Sequence, residues 1–202
     1  MLEYFLERPY LIAIMAALIV LTLFVCVKAA QASARRGKTN EALIKKLKEE
    51  NELRNEFAVL TESLIKKSDS VRLFKGVALN LQKRISDASD MEAEFAKLSE
   101  EQKMIYALSF VVEDGGEKLS KFFRINGKPV TDTALDAFKR LFGGRACEIF
   151  ESEYNSFDPD NESASVIPDE IEKLDNEFAS VADMNLCEAG GRLIAENIEK
   201  FM

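Results

Sequence analysis

The sequence predicts an all-α protein with three parts: an N-terminal transmembrane helix, a long helical stalk and a compact C-terminal helical domain. Three patterns support this fold class. Residues 10–27 form an uninterrupted apolar run, residues 53–88 repeat apolar side chains every seven positions, and residues 99–202 place apolar side chains at helical spacing. The sequence contains no run of alternating apolar and polar residues, the pattern that is typical of strands.

The apolar run near the N-terminus predicts a single membrane-spanning helix. Residues 10–27 carry no charged side chain. A helix of that length spans about 27 Å, close to the ~30 Å hydrocarbon core of a bilayer. The tail of residues 1–9 has no basic excess, whereas the juxtamembrane segment of residues 28–40 contains Lys28, Arg35, Arg36 and Lys38. By the positive-inside rule, we expect a single-pass protein of the cell membrane with residues 28–202 in the cytoplasm.

A cleaved signal peptide is the alternative interpretation of the same run. Ala32-Ser33-Ala34 resembles the small-residue site at which signal peptides are cut. The run is longer than the usual apolar region of a signal peptide and no positive excess precedes it, so the sequence favours an anchor. A cytoplasmic location also predicts that Cys147 and Cys187 are buried free thiols.

Residues 41–88 are predicted to form a helical coiled-coil stalk. The segment contains one glycine, Gly76, and no proline. Two interleaved series with seven-residue spacing are apolar at every position except Lys67, as in a coiled coil. The series are Leu53, Leu60, Lys67, Phe74, Leu81, Ala88 and Phe57, Leu64, Val71, Ala78, Ile85. We expect a homo-oligomer through residues 53–88, with Gly76 on the outer face. The alternative is a single helix that packs this stripe on the C-terminal domain.

Residues 89–202 are predicted to form an acidic, all-helical domain. Capping-box spacings at Ser89–Glu92 and Ser99–Gln102 mark helix starts. Segments with one apolar face follow, with Gly143-Gly144 ending the third and a loop, DPDNESASVIP, after the fourth. The segments are EEQKMIYALSFVVED, EKLSKFFRI, TDTALDAFKRLF, RACEIFESEYNSF, DEIEKLDNEFASV and NLCEAGGRLIAENIEKF. Their aromatic side chains are expected to supply much of the apolar area that the core buries.

The stretch VVEDGGEKLSKFFRINGK raises the choice between a phosphate-binding loop and a turn. It lacks the G-x-G-x-x-G pattern and the Gly-Lys-Ser of a phosphate loop, and Glu113 and Asp114 would repel phosphate. We therefore predict a turn between two helices in which Gly115 and Gly116 adopt positive φ angles.

The order of motifs over residues 99–202 resembles the DNA-mimic protein C-terminal domain family. ALDAFKRLFGG and KLDNEFASV are similar to two later segments of that family. The family's turn matches Asp114, Gly115 and Gly116, its aromatic pair matches Phe122 and Phe123, and its later Asn matches Asn126. The sequence departs from the family in two residue types, because Asp114 replaces the usual Asn and Glu117 stands where an aromatic residue often follows the glycines. The resemblance implies that the motif is structural and ties two helices together. It also implies an acidic surface that occupies DNA-binding proteins by imitating DNA phosphates.

Negative charge is concentrated in the predicted C-terminal domain. Residues 99–202 contain 22 acidic and 11 basic side chains, whereas residues 28–98 contain 11 acidic and 15 basic ones. Helical spacing pairs Glu148 with Glu151, and Asp169 with Glu172, on outward faces with Cβ atoms about 5–6 Å apart. These four residues are the predicted binding surface for a basic or DNA-binding protein. Ordinary solubility is the alternative explanation of the charge.

No catalytic, cofactor or metal site is predicted. The chain has no His, which excludes imidazole as a base or ligand, and no carboxylate pair stands out as a tuned acid and base. The main functional prediction is a non-enzymatic, membrane-anchored interaction protein that binds a basic protein partner and does not bind nucleic acid directly. The alternative is a structural membrane component that oligomerises through its stalk.

Overall fold

The structure is a computed structural model that describes residues 40–157, 168–180 and 185–202, together with Thr22 and Lys28. Within these residues every regular element is a helix, so the all-α prediction is confirmed. The predicted transmembrane helix of residues 10–27 lies outside the described residues, apart from Thr22. None of the helices in the described part has the length and apolarity needed to cross a bilayer.

Ten α-helices and one 3-10 helix make up the described part of the chain. They are α1 (40–56), α2 (Glu62–Lys67), α3 (Ser70–Ser86), α4 (Met91–Ala96), α5 (Glu100–Asp114), α6 (Leu119–Ile125), α7 (Val130–Leu141), α8 (Gly144–Ser156), α9 (Pro168–Ser180), α10 (Leu186–Glu196) and the 3-10 helix Ile198–Lys200. Contacts divide the chain after Glu49, and Glu50–Met202 forms one compact unit. Residues 40–49 of α1 belong to the other unit, in which Leu43, Ile44 and Leu47 are exposed.

Side-chain caps mark where several helices of the compact unit begin. The predicted capping box is present at α5, where Ser99 Oγ accepts from the Gln102 N–H at 3.2 Å and Gln102 Oε1 accepts from the Ser99 N–H at 3.1 Å. The other predicted start is displaced by one residue, because Asp90 rather than Ser89 caps α4. Gly143 and Gly144, with φ of 63° and 57°, separate α7 from α8 as predicted.

The structure corrects the prediction of a continuous stalk. Non-helical residues at 57–61, 68–69 and 87–90 separate α1, α2, α3 and α4. The stripe has the predicted apolar positions, but Phe57, Phe74, Leu81, Ala78 and Ile85 are buried within the compact unit. The alternative of a stripe packed on the C-terminal part of the chain therefore describes residues 53–88 better than a coiled-coil seam. Apolar periodicity identifies a face that must be covered, and here the chain covers it itself.

Glycines let the helices around this stripe approach closely. A Cβ at Gly190 would lie 2.2 Å from the Phe74 ring, and one at Gly191 would lie 2.2 Å from the carbonyl oxygen of Ser70. Close packing of α10 on α3 therefore accounts for the two adjacent glycines in the last α-helix. Gly76 is buried rather than on an outer face, because the ring of Phe57 occupies the space that a Cβ would need.

We expect Gly191→Ala to lower the free energy of unfolding of the full chain by about 2–3 kcal/mol. The added Cβ meets a backbone oxygen, which cannot rotate away as a side chain can. Urea denaturation in mild detergent measures the change. Gly127→Ala is the matched control, because a Cβ there has no atom within 4 Å. Equal losses of stability in the two variants would contradict the close packing of α10 on α3.

Candidate interaction surfaces

The four predicted partner-binding carboxylates divide into two groups. On α8, Glu148 Oε2 lies 3.1 Å from Arg145, and Glu151 Oε1 lies 2.8 Å from Lys139. Arg145 also holds Glu177 of α9 through two hydrogen bonds of 2.6 and 2.7 Å. These bonds raise the pKa of Arg145 and lower that of Glu177. Because both α8 carboxylates are already held by cations of the same chain, they offer a partner less unscreened charge than the sequence suggests.

The acidic residues near the start of α9 lack such partners within the described part of the chain. Asp169 and Glu172 are exposed and form no ion pair within the described part of the chain. Glu170, which the sequence analysis did not include, is exposed beside them in the first turn of α9. Negative side chains in a first turn also stabilise the helix through its macrodipole. Asp169, Glu170 and Glu172 together are called the α9 acidic patch below.

The residues of the family-like motif hold α5 and α6 together. The Asn126 side-chain amide donates to Asp114 Oδ2 at 2.8 Å and to the Phe122 carbonyl at 3.1 Å. Phe122 and Phe123 are buried, with ring centroids 5.0 Å apart. The motif therefore links the C-terminal ends of two consecutive helices, as the sequence interpretation proposed.

The two glycines of the motif do not have the positive φ angles that were predicted. Gly115 has φ −89° and ψ −4°, and its N–H donates to the Val111 carbonyl at 3.0 Å. A Cβ at Gly115 would lie 2.7 Å from that carbonyl oxygen, and one at Gly116 would lie 2.8 Å from the Val112 oxygen. These positions require glycine because the chain turns tightly over the last carbonyls of α5.

A buried pair of carboxyl groups lies between α8 and α9. The Ser120 N–H and hydroxyl donate to the two carboxylate oxygens of Asp175 at 2.8 and 2.7 Å. Glu153 is fully buried, and neither of its carboxyl oxygens has a hydrogen-bond partner among the described residues. Burial and the negative charge of Asp175 raise the pKa of Glu153 to about 8. At neutral pH the chain therefore buries Glu153 as a protonated acid beside the Asp175 side chain that Ser120 binds.

Cys147, Cys187 and the carboxylates of the described residues form no metal-binding cluster. Cys147 is half-buried and Cys187 is buried, and both are free thiols. Burial raises the pKa of each. Among the described residues, no group of three Cys, Asp or Glu side chains is arranged to hold a metal ion.

We expect Glu153 to make the stability of the domain fall as pH rises. Between about pH 5 and pH 8 the folded state retains the Glu153 proton and the unfolded state does not, so the free energy of unfolding falls by about 1.4 kcal/mol per pH unit. Glu153→Gln removes this slope. Urea denaturation as a function of pH measures it, with Glu196→Gln, an exposed carboxylate on α10, as control. A wild-type slope that survives in Glu153→Gln would contradict the assignment.

Comparison with known proteins identifies no relative: no family model, no curated protein and no solved structure matches the chain.

Proposed function

We propose that Glu50–Met202 is a non-enzymatic interaction domain that binds a basic protein partner through the α9 acidic patch. The observation that carries this proposal is the exposure of Asp169, Glu170 and Glu172 without an ion pair in the described part of the chain. Side chains without an internal cation gain the most from a partner's Lys and Arg, because no existing interaction must first be broken. The excess of acidic over basic residues in 99–202 adds long-range attraction for such a partner.

DNA mimicry is the specific form of this function that the family resemblance suggests. Asp169 and Glu172 are three residues apart on one helix, with Cβ atoms about 5–6 Å apart. A DNA-binding protein would meet them as it meets neighbouring phosphates. The pairing of Glu148 with Arg145 and of Glu151 with Lys139 limits the array of free negative charge. The proposed surface is therefore a compact patch on α9 rather than a long phosphate-like track.

The proposal includes attachment to the membrane through residues 10–27, with the domain on the cytoplasmic side. The sequence supports this with its uncharged run followed by basic residues. The alternative function, a structural component that oligomerises through residues 53–88, loses its main support because most of the stripe is covered within the compact unit.

We expect the triple variant Asp169→Asn, Glu170→Gln, Glu172→Gln to bind basic partners about tenfold more weakly than the wild-type chain, a loss of about 1.4 kcal/mol. Two probes measure this by fluorescence anisotropy at several NaCl concentrations: a labelled Lys-rich peptide, and a DNA-binding protein without sequence preference. The slope of log affinity against log salt should become shallower in the variant, because fewer charges meet across the interface.

The matched control is the double variant Glu148→Gln, Glu151→Gln. In the wild-type chain these two carboxylates are already paired with Arg145 and Lys139, so neutralising them should change the affinity much less. If the two variants weaken binding equally, or if neither changes it, the α9 acidic patch is not the binding surface. Competition by duplex DNA for the same face of the DNA-binding protein distinguishes mimicry from general attraction to basic proteins.

We expect a reporter fused after Met202 to be active only when it is a reporter of the cytoplasm. The basic residues that follow the apolar run predict this orientation. A parallel fusion to a reporter that is active only outside the cytoplasm serves as the control. Activity of the external reporter alone would contradict the orientation and would exclude DNA-binding proteins as partners.

A further inference from the structure

A stretch of the acidic domain carries only positive charge. Residues 118–128, KLSKFFRINGK, contain Lys118, Lys121, Arg124 and Lys128 and no acidic residue. All four cations are exposed. Lys121 and Arg124 lie three residues apart on one side of α6, and Lys118 is the N-cap residue of that helix, while Phe122 and Phe123 enter the core. These four residues are called the basic ridge.

Most of the basic ridge has no counter-charge among the residues that the structure describes. Within the described residues, Lys118, Lys121 and Arg124 form no ion pair, and Lys128 lies 3.8 Å from Asp132. By contrast, Lys139, Arg140 and Arg145 in the same domain each contact a carboxylate within 3.2 Å. The ridge therefore presents concentrated positive charge, although the chain as a whole has a net charge of −8.

Two clefts flank the basic ridge, and Arg124 lines both of them. The first, of about 320 Å³, combines the cations Arg124 and Lys128 with apolar surface from Ile125 and Phe157. Ile125 is 58% exposed, so its apolar side chain is accessible to a ligand in this cleft. The Phe157 ring stacks on Phe123 with centroids 5.4 Å apart, and the Arg124 guanidinium lies 5.7 Å from the Phe157 centroid. This cleft offers an apolar contact and positive charge side by side.

The second cleft, of about 440 Å³, distinguishes between anionic ligands. Lys118, Lys121 and Arg124 lie on its α6 side together with one carboxylate, Glu117, and Glu172 and Asp175 of α9 line the opposite side. A continuous phosphate chain or an anionic bilayer surface would face these carboxylates and be repelled. A peptide can direct its acidic side chains to the α6 side alone, because its charges are separate and its backbone is neutral.

We propose that the basic ridge binds an acidic protein segment that inserts one apolar side chain beside Ile125 and Phe157. The charge complements the unpaired cations, and a cleft of this size accommodates one large side chain. Arg124, which lines both clefts and lies over the Phe157 ring, is the central contact. Arginine beside an aromatic ring is a frequent centre of binding energy in protein interfaces. Glu172 of the α9 acidic patch lines the second cleft, so the two surfaces adjoin while they carry opposite charge.

The test is a fluorescence anisotropy titration of the full chain in detergent at physiological salt. The probe is a labelled peptide of alternating Glu and Ser with one central Phe, and a second peptide has Ser in place of that Phe. We expect the triple variant Lys118→Gln, Lys121→Gln, Arg124→Gln to bind the first peptide at least about tenfold more weakly. Ile125→Ser should remove the preference for the peptide that contains Phe.

The matched control is the double variant Lys83→Gln, Lys97→Gln, which removes positive charge that Asp87 and Glu94 already pair. It should leave peptide binding unchanged. The α9 triple variant should not weaken binding of this peptide. The peptide titration therefore tests this proposal, and the titration with basic partners tests the proposed function independently. Circular dichroism and urea denaturation confirm that each variant is folded.

Four results would overturn the proposal. In the first, the wild-type chain binds neither peptide, and in the second, the ridge variant binds the Phe-containing peptide as tightly as the wild-type chain does. In the third, the chain binds a single-stranded oligonucleotide or phosphatidylserine vesicles more tightly than the peptide. In the fourth, the chain forms salt-sensitive dimers that the peptide does not dissociate. The last result would assign the basic ridge to the acidic surface of a second copy of the chain.

Discussion

The compact unit depends on the close approach of α3 and α10. Gly190 and Gly191 bring the backbone of α10 against Phe74 and the Ser70 carbonyl, and no larger residue fits there without displacement. On the other side of α3, Phe57 lies over Gly76. This contact joins the last α-helix to the first part of the unit. The Gln102 side chain then holds the end of the chain to α5 by donating to the Lys200 carbonyl at 2.7 Å.

An aromatic layer between α6, α7 and α8 determines which side chains face outward. Phe138 and Phe150 stack with centroids 4.0 Å apart, and Phe122 and Phe123 contact the same Phe150 ring. With these rings turned inward, the helical period leaves the cations of α6 on the surface. Across the cleft, Ile171 of α9 is buried while the neighbouring acidic residues are exposed. The same packing thus creates two surfaces of opposite charge on adjacent helices.

The acidic residues of this domain include two that are buried as well as many that are exposed. Asp175 remains inside because two donors of Ser120 replace the hydrogen bonds that water would supply. Glu153 retains its proton at neutral pH because burial raises its pKa to about 8, so it adds no negative charge to the interior. On the surface, Arg145 joins α8 to α9 through Glu177, so part of the acidic excess contributes to the domain's own packing.

Local patterns in the sequence determined the all-α class, the capping box of Ser99 and Gln102, the break at Gly143-Gly144 and the apolar stripe. Each depends on residues within one or two helical turns, so the chain's own spacing encodes it. Only the tertiary structure decided what covers the stripe, because periodicity shows that a face is apolar but does not identify its partner. It also decided which carboxylates are free, since Arg145 pairs with Glu177, 32 residues away, and Ser120 pairs with Asp175, 55 residues away. Contacts that join distant parts of the chain leave no periodic signal, and the burial of Glu153 beside Asp175 depends on such contacts.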